Sequence, residues 1–140
     1  MARKDNSKDW ASRLAPDATT LQAIAYEAYA ILPEDFRALT KRTPIHIAEY
    51  PDEDTADDLG LESPFDILGL FEGQGLSGHW TPSHKNGVNR ITLFRRAILD
   101  YWCENEETLH DIIIHILINE LGHHFGLSEL EIADIENALD

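Results

Sequence analysis

Two stretches of the chain carry apolar residues at three- and four-residue steps, the spacing typical of amphipathic helices. The first follows Asp17, a suitable N-cap residue, and its apolar positions are Leu21, Ile24, Ala25, Ala28, Tyr29 and Leu32. The second covers residues 104–125, where we expect Asn105 to be the N-cap. Because its apolar positions cover more than one face, we predict that this helix is central and largely buried. Gly126 then suits a left-handed residue, and residues 128–131 form a capping box that starts a final helix.

Three shorter segments have the patterns of β-strands. Apolar and polar residues alternate within residues 43–50, an apolar run covers residues 65–71, and strand-like character returns over residues 90–98. A glycine-rich loop, residues 72–89, joins the second strand to the third and contains His79, Trp80 and His84. A loop of this length is more often functional than idle, and an ordinary exposed loop is the alternative.

Weaker signals complete the outline of the fold. Pro33 suits the first turn of a short helix over residues 34–39, and the acidic residues 52–58 indicate a short solvated helix or turn. The predicted elements follow the order helices, strands, helices within 140 residues. This order and length predict one α+β domain over residues 17–140. We expect its small sheet to pack against the long helix and the other helices. Residues 1–16 are polar and lack periodicity, so we predict a flexible tail there.

The chain is strongly acidic, with 11 lysines and arginines against 26 aspartates and glutamates and a formal charge of −15. Such a surface repels phosphate backbones and anionic lipids, so we expect neither nucleic acid nor a membrane as a partner. The net charge of residues 1–16 has the opposite sign, because four basic and two acidic residues give this segment +2. The remaining residues therefore carry a net charge of −17. The single cysteine, Cys103, cannot form an intrachain disulfide, and the charged N-terminus does not resemble a signal peptide. We therefore expect a reducing, cytoplasmic location.

The candidate chemistry lies near the end of the long predicted helix. Positions 119 and 123 are four residues apart, so they share one helix face about one turn apart. The motif His-Glu-x-x-His uses this geometry to bind Zn²⁺ with two imidazoles while the glutamate activates water. Here Glu120 and His123 occupy the glutamate and second histidine positions, but Asn119 replaces the first histidine. Glu129, three residues after Gly126, takes the aspartate position of the extended pattern His-Glu-x-x-His-x-x-Gly-x-x-Asp.

Because of this motif and its surrounding segments, the chain resembles the small bacterial zincin-like metallopeptidases, or minimal zincins, over residues 20–140. The segments that carry the resemblance are 32–37, 59–73, 90–96 and 122–128. The resemblance implies a small α+β zincin core, with the metal on the long helix and a strand beside the cleft. It also implies that Glu120 is the general base and that His123 and Glu129 are metal ligands. It implies peptidase chemistry but no particular substrate.

The replacement at position 119 changes the expected metal site. The Asn119 carbonyl oxygen is a neutral, hard ligand that is weak for Zn²⁺. The candidate ligands become His123, Glu129 and Asn119. Three outcomes are open for this set: weak binding of zinc, preferential binding of another divalent cation such as Mn²⁺, Mg²⁺ or Ca²⁺, or no metal binding. Two functions are then consistent with the sequence. One is a metallopeptidase that hydrolyses peptide bonds of peptide or protein substrates, and the other is an inactive module without zinc that binds a peptide beside the cleft strand.

Each candidate residue also has a purely structural interpretation. A buried glutamate needs a partner when no metal is present, and for Glu120 this partner would be Arg95 or Arg96 of the neighbouring strand. Asn119 would be a hydrogen-bonded core amide. The other two ligands would be ordinary polar residues at helix ends.

Overall fold

A computed structural model describes residues 7–73 and 89–139 of the chain and confirms the predicted α+β class. The described residues contain seven helices and three strands, in the order α1 Ser7–Ala11, α2 Ala18–Ala30, α3 Glu34–Thr40, β1 Ile45–Ala48, α4 Glu53–Leu59, β2 Gly69–Glu72, β3 Arg90–Phe94, α5 Arg95–Glu104, α6 Leu109–His124 and α7 Glu129–Ala138. None of these helices is long and apolar enough to cross a lipid bilayer.

Two predictions concern segments that are described only in part. Helix α1 lies within the predicted tail and has no buried residue. The flexibility of residues 1–16 stays a prediction. Most of the glycine-rich loop, with His79, Trp80 and His84, lies outside the described residues.

The three strands form one mixed sheet in the order β1-β3-β2. Strand β1 runs parallel to β3, with Ile45 opposite Ile91, and β2 runs antiparallel to β3, with Phe71 opposite the same Ile91. The central strand β3 is therefore covered on both sides, and Ile91 and Leu93 are fully buried. Within the described part of the chain, β2 is an edge strand whose outer edge carries no strand partner.

Helix α6 is the centre of the fold, as its broad apolar surface predicts. It contacts α2, α5, α7 and the strands β2 and β3. Its buried residues are Ile112, Ile113, Ile114, Ile116, Leu117, Ile118, Leu121 and Gly122. Removing this much apolar surface from water is the main stabilising contribution to a core of this size.

The end of the third strand and the start of the long helix were predicted wrongly. Strand β3 ends at Phe94, opposite Ala48 at the end of β1, and the chain enters α5 at Arg95. The buried Ala97 and Ile98 follow Phe94 at helical spacing, and that spacing decides the structure of this segment. The N-cap of α6 is Thr108, whose side chain accepts the Asp111 N–H.

The other end of α6 follows the local signals in the sequence. Gly126 adopts a left-handed conformation, with φ of +89°. Ser128 and Glu131 form the predicted capping box of α7. The Leu127 N–H donates to the Gly122 carbonyl, which closes a tight corner between the two helices. The first residue of α7, Glu129, consequently lies close to the last turn of α6.

Close packing at Gly69 gives a first testable prediction. A Cβ added there would lie 2.7 Å from Ile116 Cγ2, so Gly69→Ala should destabilise the fold by about 1–3 kcal/mol through overpacking. Urea unfolding measures this cost. In an Ile116→Ala background the cost should shrink, because Cγ2 is absent there. An equal cost in both backgrounds would show that the approach of α6 to β2 is not the constraint.

The cap of α2 gives a prediction about acid stability. The Asp17 carboxylate accepts the Thr20 N–H at 2.8 Å. This bond, aided by the Thr20 hydroxyl and the charge of Arg95, lowers the pKa of Asp17 below its ordinary value. A lowered pKa stabilises the fold above the unfolded-state value, and this stability is lost as the pH falls through the folded-state value.

Asparagine keeps the capping oxygen but gains no proton. Unfolding midpoints in urea should therefore fall less steeply with acid for Asp17→Asn than for the wild type. Asp58→Asn, at an exposed position near the end of α4, is the matched control. An acid dependence of Asp17→Asn identical to that of the wild type would contradict the assignment.

Candidate active site and metal site

The predicted site residues lie at the corner between α6 and α7. Asn119, Glu120 and His123 are on the last two turns of α6, and Glu129 is the first residue of α7. The left-handed Gly126 between the helices turns the chain back, so that Glu129 faces His123. The structure thus brings His123 and Glu129 into direct contact, while Asn119 bonds to its own helix and Glu120 bonds to strand β2.

His123 and Glu129 form a close polar pair. The Nε2 atom of His123 lies 2.7 Å from Oε1 of Glu129. Both side chains are exposed to solvent, at 43% and 86% respectively. Two exposed donor atoms that converge from different helices can approach one ion with little movement of the backbone. Their role as metal ligands stays a prediction.

Asn119 contacts the preceding turn of its own helix. Its Nδ2 atom donates to the carbonyl of His115 at 2.8 Å. This bond fixes the orientation of the amide and leaves the Oδ1 atom as the part that can accept a hydrogen bond or ligate a cation. The geometry agrees with a hydrogen-bonded amide at position 119.

Glu120 contacts strand β2. Its Oε1 atom accepts the backbone N–H of Phe71 at 3.1 Å. Burial raises the pKa of Glu120, while the bond from Phe71 and the nearby His123 act in the opposite direction. The suggested pairing of Glu120 with Arg95 or Arg96 is wrong.

The two arginines are held at the other side of β3, because both donate to Glu49. Arg95 also donates to the Pro16 carbonyl at 2.7 Å. This arrangement follows from the early end of β3, since both residues lie on α5 rather than on a strand beside α6.

Two contacts that the sequence did not reveal hold the site in place. The ring of His124 stacks on Phe71 at 4.7 Å between centroids, which fixes the strand against the end of α6. His115 Nδ1 lies 2.5 Å from Oε2 of Glu136, and this pair links α6 to α7. His115 lies within the predicted long helix, but nothing in the sequence specifies its partner on another helix.

The donor set fits a weakly held divalent cation better than a closed zinc site. The described residues contain no group of three or more His, Cys, Asp or Glu side chains that could hold a metal ion. The predicted ligand set contains two strong donors, His123 and Glu129, and one neutral oxygen, that of Asn119. Catalytic zinc sites commonly have three strong protein ligands, so low affinity is expected here.

Comparison with known proteins confirms the resemblance over most of the chain. The family model described as zincin-like metallopeptidase matches residues 40–139. This range runs from the end of α3 to the end of α7 and includes every candidate site residue. A search of curated proteins found no match.

The ligand set predicts the effect of restoring the missing imidazole. Asn119→His should tighten Zn²⁺ binding by at least about tenfold, because it replaces a neutral oxygen with a strong nitrogen donor. Competition with a fluorescent zinc chelator measures the affinity. Asn137→His, which adds an imidazole at an exposed position of α7, is the matched control. Unchanged zinc affinity in a folded Asn119→His protein would show that His123 and Glu129 are not ligands.

Proposed function

Since this chain belongs to the zincin-like metallopeptidase family, we propose that it hydrolyses peptide bonds at the end of α6, with a weakly held divalent cation. The observation that carries the proposal is the position of the Glu120 carboxylate, which is bound to the edge of β2 beside the His123 and Glu129 pair. The substrates are peptides or proteins. The charge of −15 supports such partners over nucleic acid or an anionic membrane.

The ligands in this proposal are His123, Glu129 and the Oδ1 atom of Asn119. The chemistry that a bound divalent cation supplies is Lewis-acid polarisation of the scissile carbonyl. With one neutral ligand the affinity depends strongly on the cation, so zinc and manganese are the first cations to test. The single, exposed Cys103 suits a reducing compartment, and we place the protein in the cytoplasm.

Glu120 acts as the general base. Its carboxylate accepts a proton from the attacking water while the water oxygen bonds to the carbonyl carbon, and the same proton then passes to the amine as the C–N bond breaks. A partly buried carboxylate suits this task, because burial raises its pKa and makes it a stronger base than an exposed one. In the protein without a substrate, the Phe71 N–H holds one oxygen of this carboxylate in position.

The cleft strand β2 supports peptide recognition. Its inner edge pairs with β3, while its outer edge presents the Phe71 amide toward α6. A substrate in extended conformation could pair with this edge through main-chain hydrogen bonds, a common way for proteins to bind peptides.

A second candidate function is a peptide-binding module without hydrolytic activity. The observation that favours it is the incomplete ligand set, since among the described residues no cluster of three His, Cys, Asp or Glu side chains can hold a metal. The edge of β2 would serve this function equally well. The two functions therefore share a binding surface and differ in turnover.

Glu120→Gln is the variant that separates them. The glutamine oxygen can still accept the Phe71 N–H, but it cannot take a proton from water, so turnover should fall by about 10²–10⁴-fold. Hydrolysis of a fluorescence-quenched peptide library with added Zn²⁺ or Mn²⁺ measures turnover, and Glu104→Gln, at the exposed end of α5, is the matched control. Undiminished turnover in Glu120→Gln would exclude this residue as the base. A wild type that binds library peptides but cleaves none with either cation would favour the binding module.

A further inference from the structure

One pocket of the protein contains none of the candidate site residues in its lining. It is formed by α2, α3 and the segment that leads from α3 into β1, and its volume is about 590 Å³. Pockets for small molecules usually span roughly 300–1,000 Å³. Four of its lining residues, Tyr26, Tyr29, Ala30 and Arg37, precede the residues that the family model matches, and none of its lining residues is a candidate site residue. The pocket is therefore not accounted for by the proposed peptidase function.

The pocket concentrates positive charge on an acidic protein. Arg37, Lys41 and Arg42 all line it, and none of them forms an ion pair with a carboxylate of the described residues. The cations near the sheet, by contrast, each pair with a glutamate: Arg90, Arg95 and Arg96. Three neighbouring cations without an acidic partner create a local positive potential, which attracts anions despite the net charge of −15.

The polar groups around these cations are fixed in position. Arg37 Nε donates to the Leu32 carbonyl at 2.9 Å, which anchors the guanidinium group at the pocket wall. The hydroxyl oxygen of Tyr26 accepts the Ile45 N–H at 3.1 Å, so its own proton remains able to donate to a ligand. Tyr29 is held by a 2.7 Å hydrogen bond to Thr40. The two tyrosine rings thus add rigid apolar surface beside the cations.

The backbone at Arg42 has an unusual conformation. Arg42 is the one non-glycine residue with positive φ in the described part of the chain, with φ of +64°. Such conformations are costly for residues with a Cβ and occur preferentially at functional positions. Here the left-handed residue belongs to the cationic group itself.

We infer that this pocket binds a small organic phosphate, namely a phosphate ester with an aromatic or other apolar body. Guanidinium groups match phosphate oxygens in geometry and can form paired hydrogen bonds with them. A phosphate monoester carries up to two negative charges and several acceptor oxygens, which suits three cations and a tyrosine hydroxyl better than a carboxylate does. The tyrosine rings contact the body of the ligand.

Titration with phenyl phosphate, followed by amide chemical shifts in ¹⁵N NMR spectra, tests this inference. We expect saturable shifts at Tyr26, Lys41 and Arg42, with tighter binding than for inorganic phosphate, which lacks the ring, or for benzoate, which carries less charge. Lys41→Ala and Arg42→Asn should each weaken binding by about tenfold. Asparagine tolerates the left-handed conformation, so Arg42→Asn removes the charge while preserving the backbone. Arg13→Asn, on the N-terminal segment, is the matched control.

Three results would overturn the inference. The first is the absence of shifts in these residues up to the solubility limit of phenyl phosphate. The second is benzoate binding at least as tightly as phenyl phosphate, which would exclude the phosphate class. The third is an equal loss of affinity for phenyl phosphate in Arg42→Asn and Arg13→Asn, since this would indicate a general charge effect. Binding of an acidic peptide without any response to phenyl phosphate would instead assign the pocket to a protein partner.

Discussion

The packing of helix α6 along strand β2 is the constraint on which the candidate site depends. Gly69 has no side chain, so Ile116 of α6 can lie directly against the strand. Four residues of a helix advance about 6 Å, and two residues of a strand advance about 6.6 Å. One turn of the helix therefore advances by nearly the same distance as two residues of the strand. Glu120, one turn after Ile116, meets Phe71, two residues after Gly69.

This contact satisfies two groups that would otherwise be costly. An edge strand has backbone N–H groups without strand partners, and a partly buried carboxylate needs donors to replace water. The Phe71 amide and the Glu120 carboxylate fulfil both needs with one hydrogen bond. The stacked ring of His124 holds the same strand residue from the end of α6. The position of Glu120 thus follows from packing and does not require an ion.

Local signals in the sequence predicted the elements on which the site is built. Asp17, Gly126 and Ser128 act as caps through contacts within a few residues, so their roles can be inferred from neighbouring sequence alone. The end of β3 was predicted wrongly, and α5 was not predicted, because residues 90–98 contain both strand-like and helical spacing. Its true boundary depends on where β1 stops pairing with β3.

The contacts of the site itself were less predictable. The motif on the long helix predicted roles for Glu120 and His123, and its extended form added Glu129 as a candidate ligand; these roles stay predictions. The partner of Glu120 is a backbone amide, and no residue type encodes it. It is determined by the register between α6 and β2, which depends on the packing of the whole core. The same holds for His115 and Glu136, which meet only because two helices cross.

The Phe71 amide also links the two functions considered for this family member. It has a single N–H, so a peptide that pairs with the outer edge of β2 at this residue must compete with Glu120 for it. A peptide that displaces Glu120 from the Phe71 N–H leaves the Glu120 carboxylate oxygen free next to the peptide backbone. A general base is needed at that position. In a module without a cation, the same exchange would leave Glu120 partly buried without its donor, which costs binding free energy. If a peptide binds at this edge as proposed, its binding is therefore more favourable when a cation near His123 stabilises the released carboxylate.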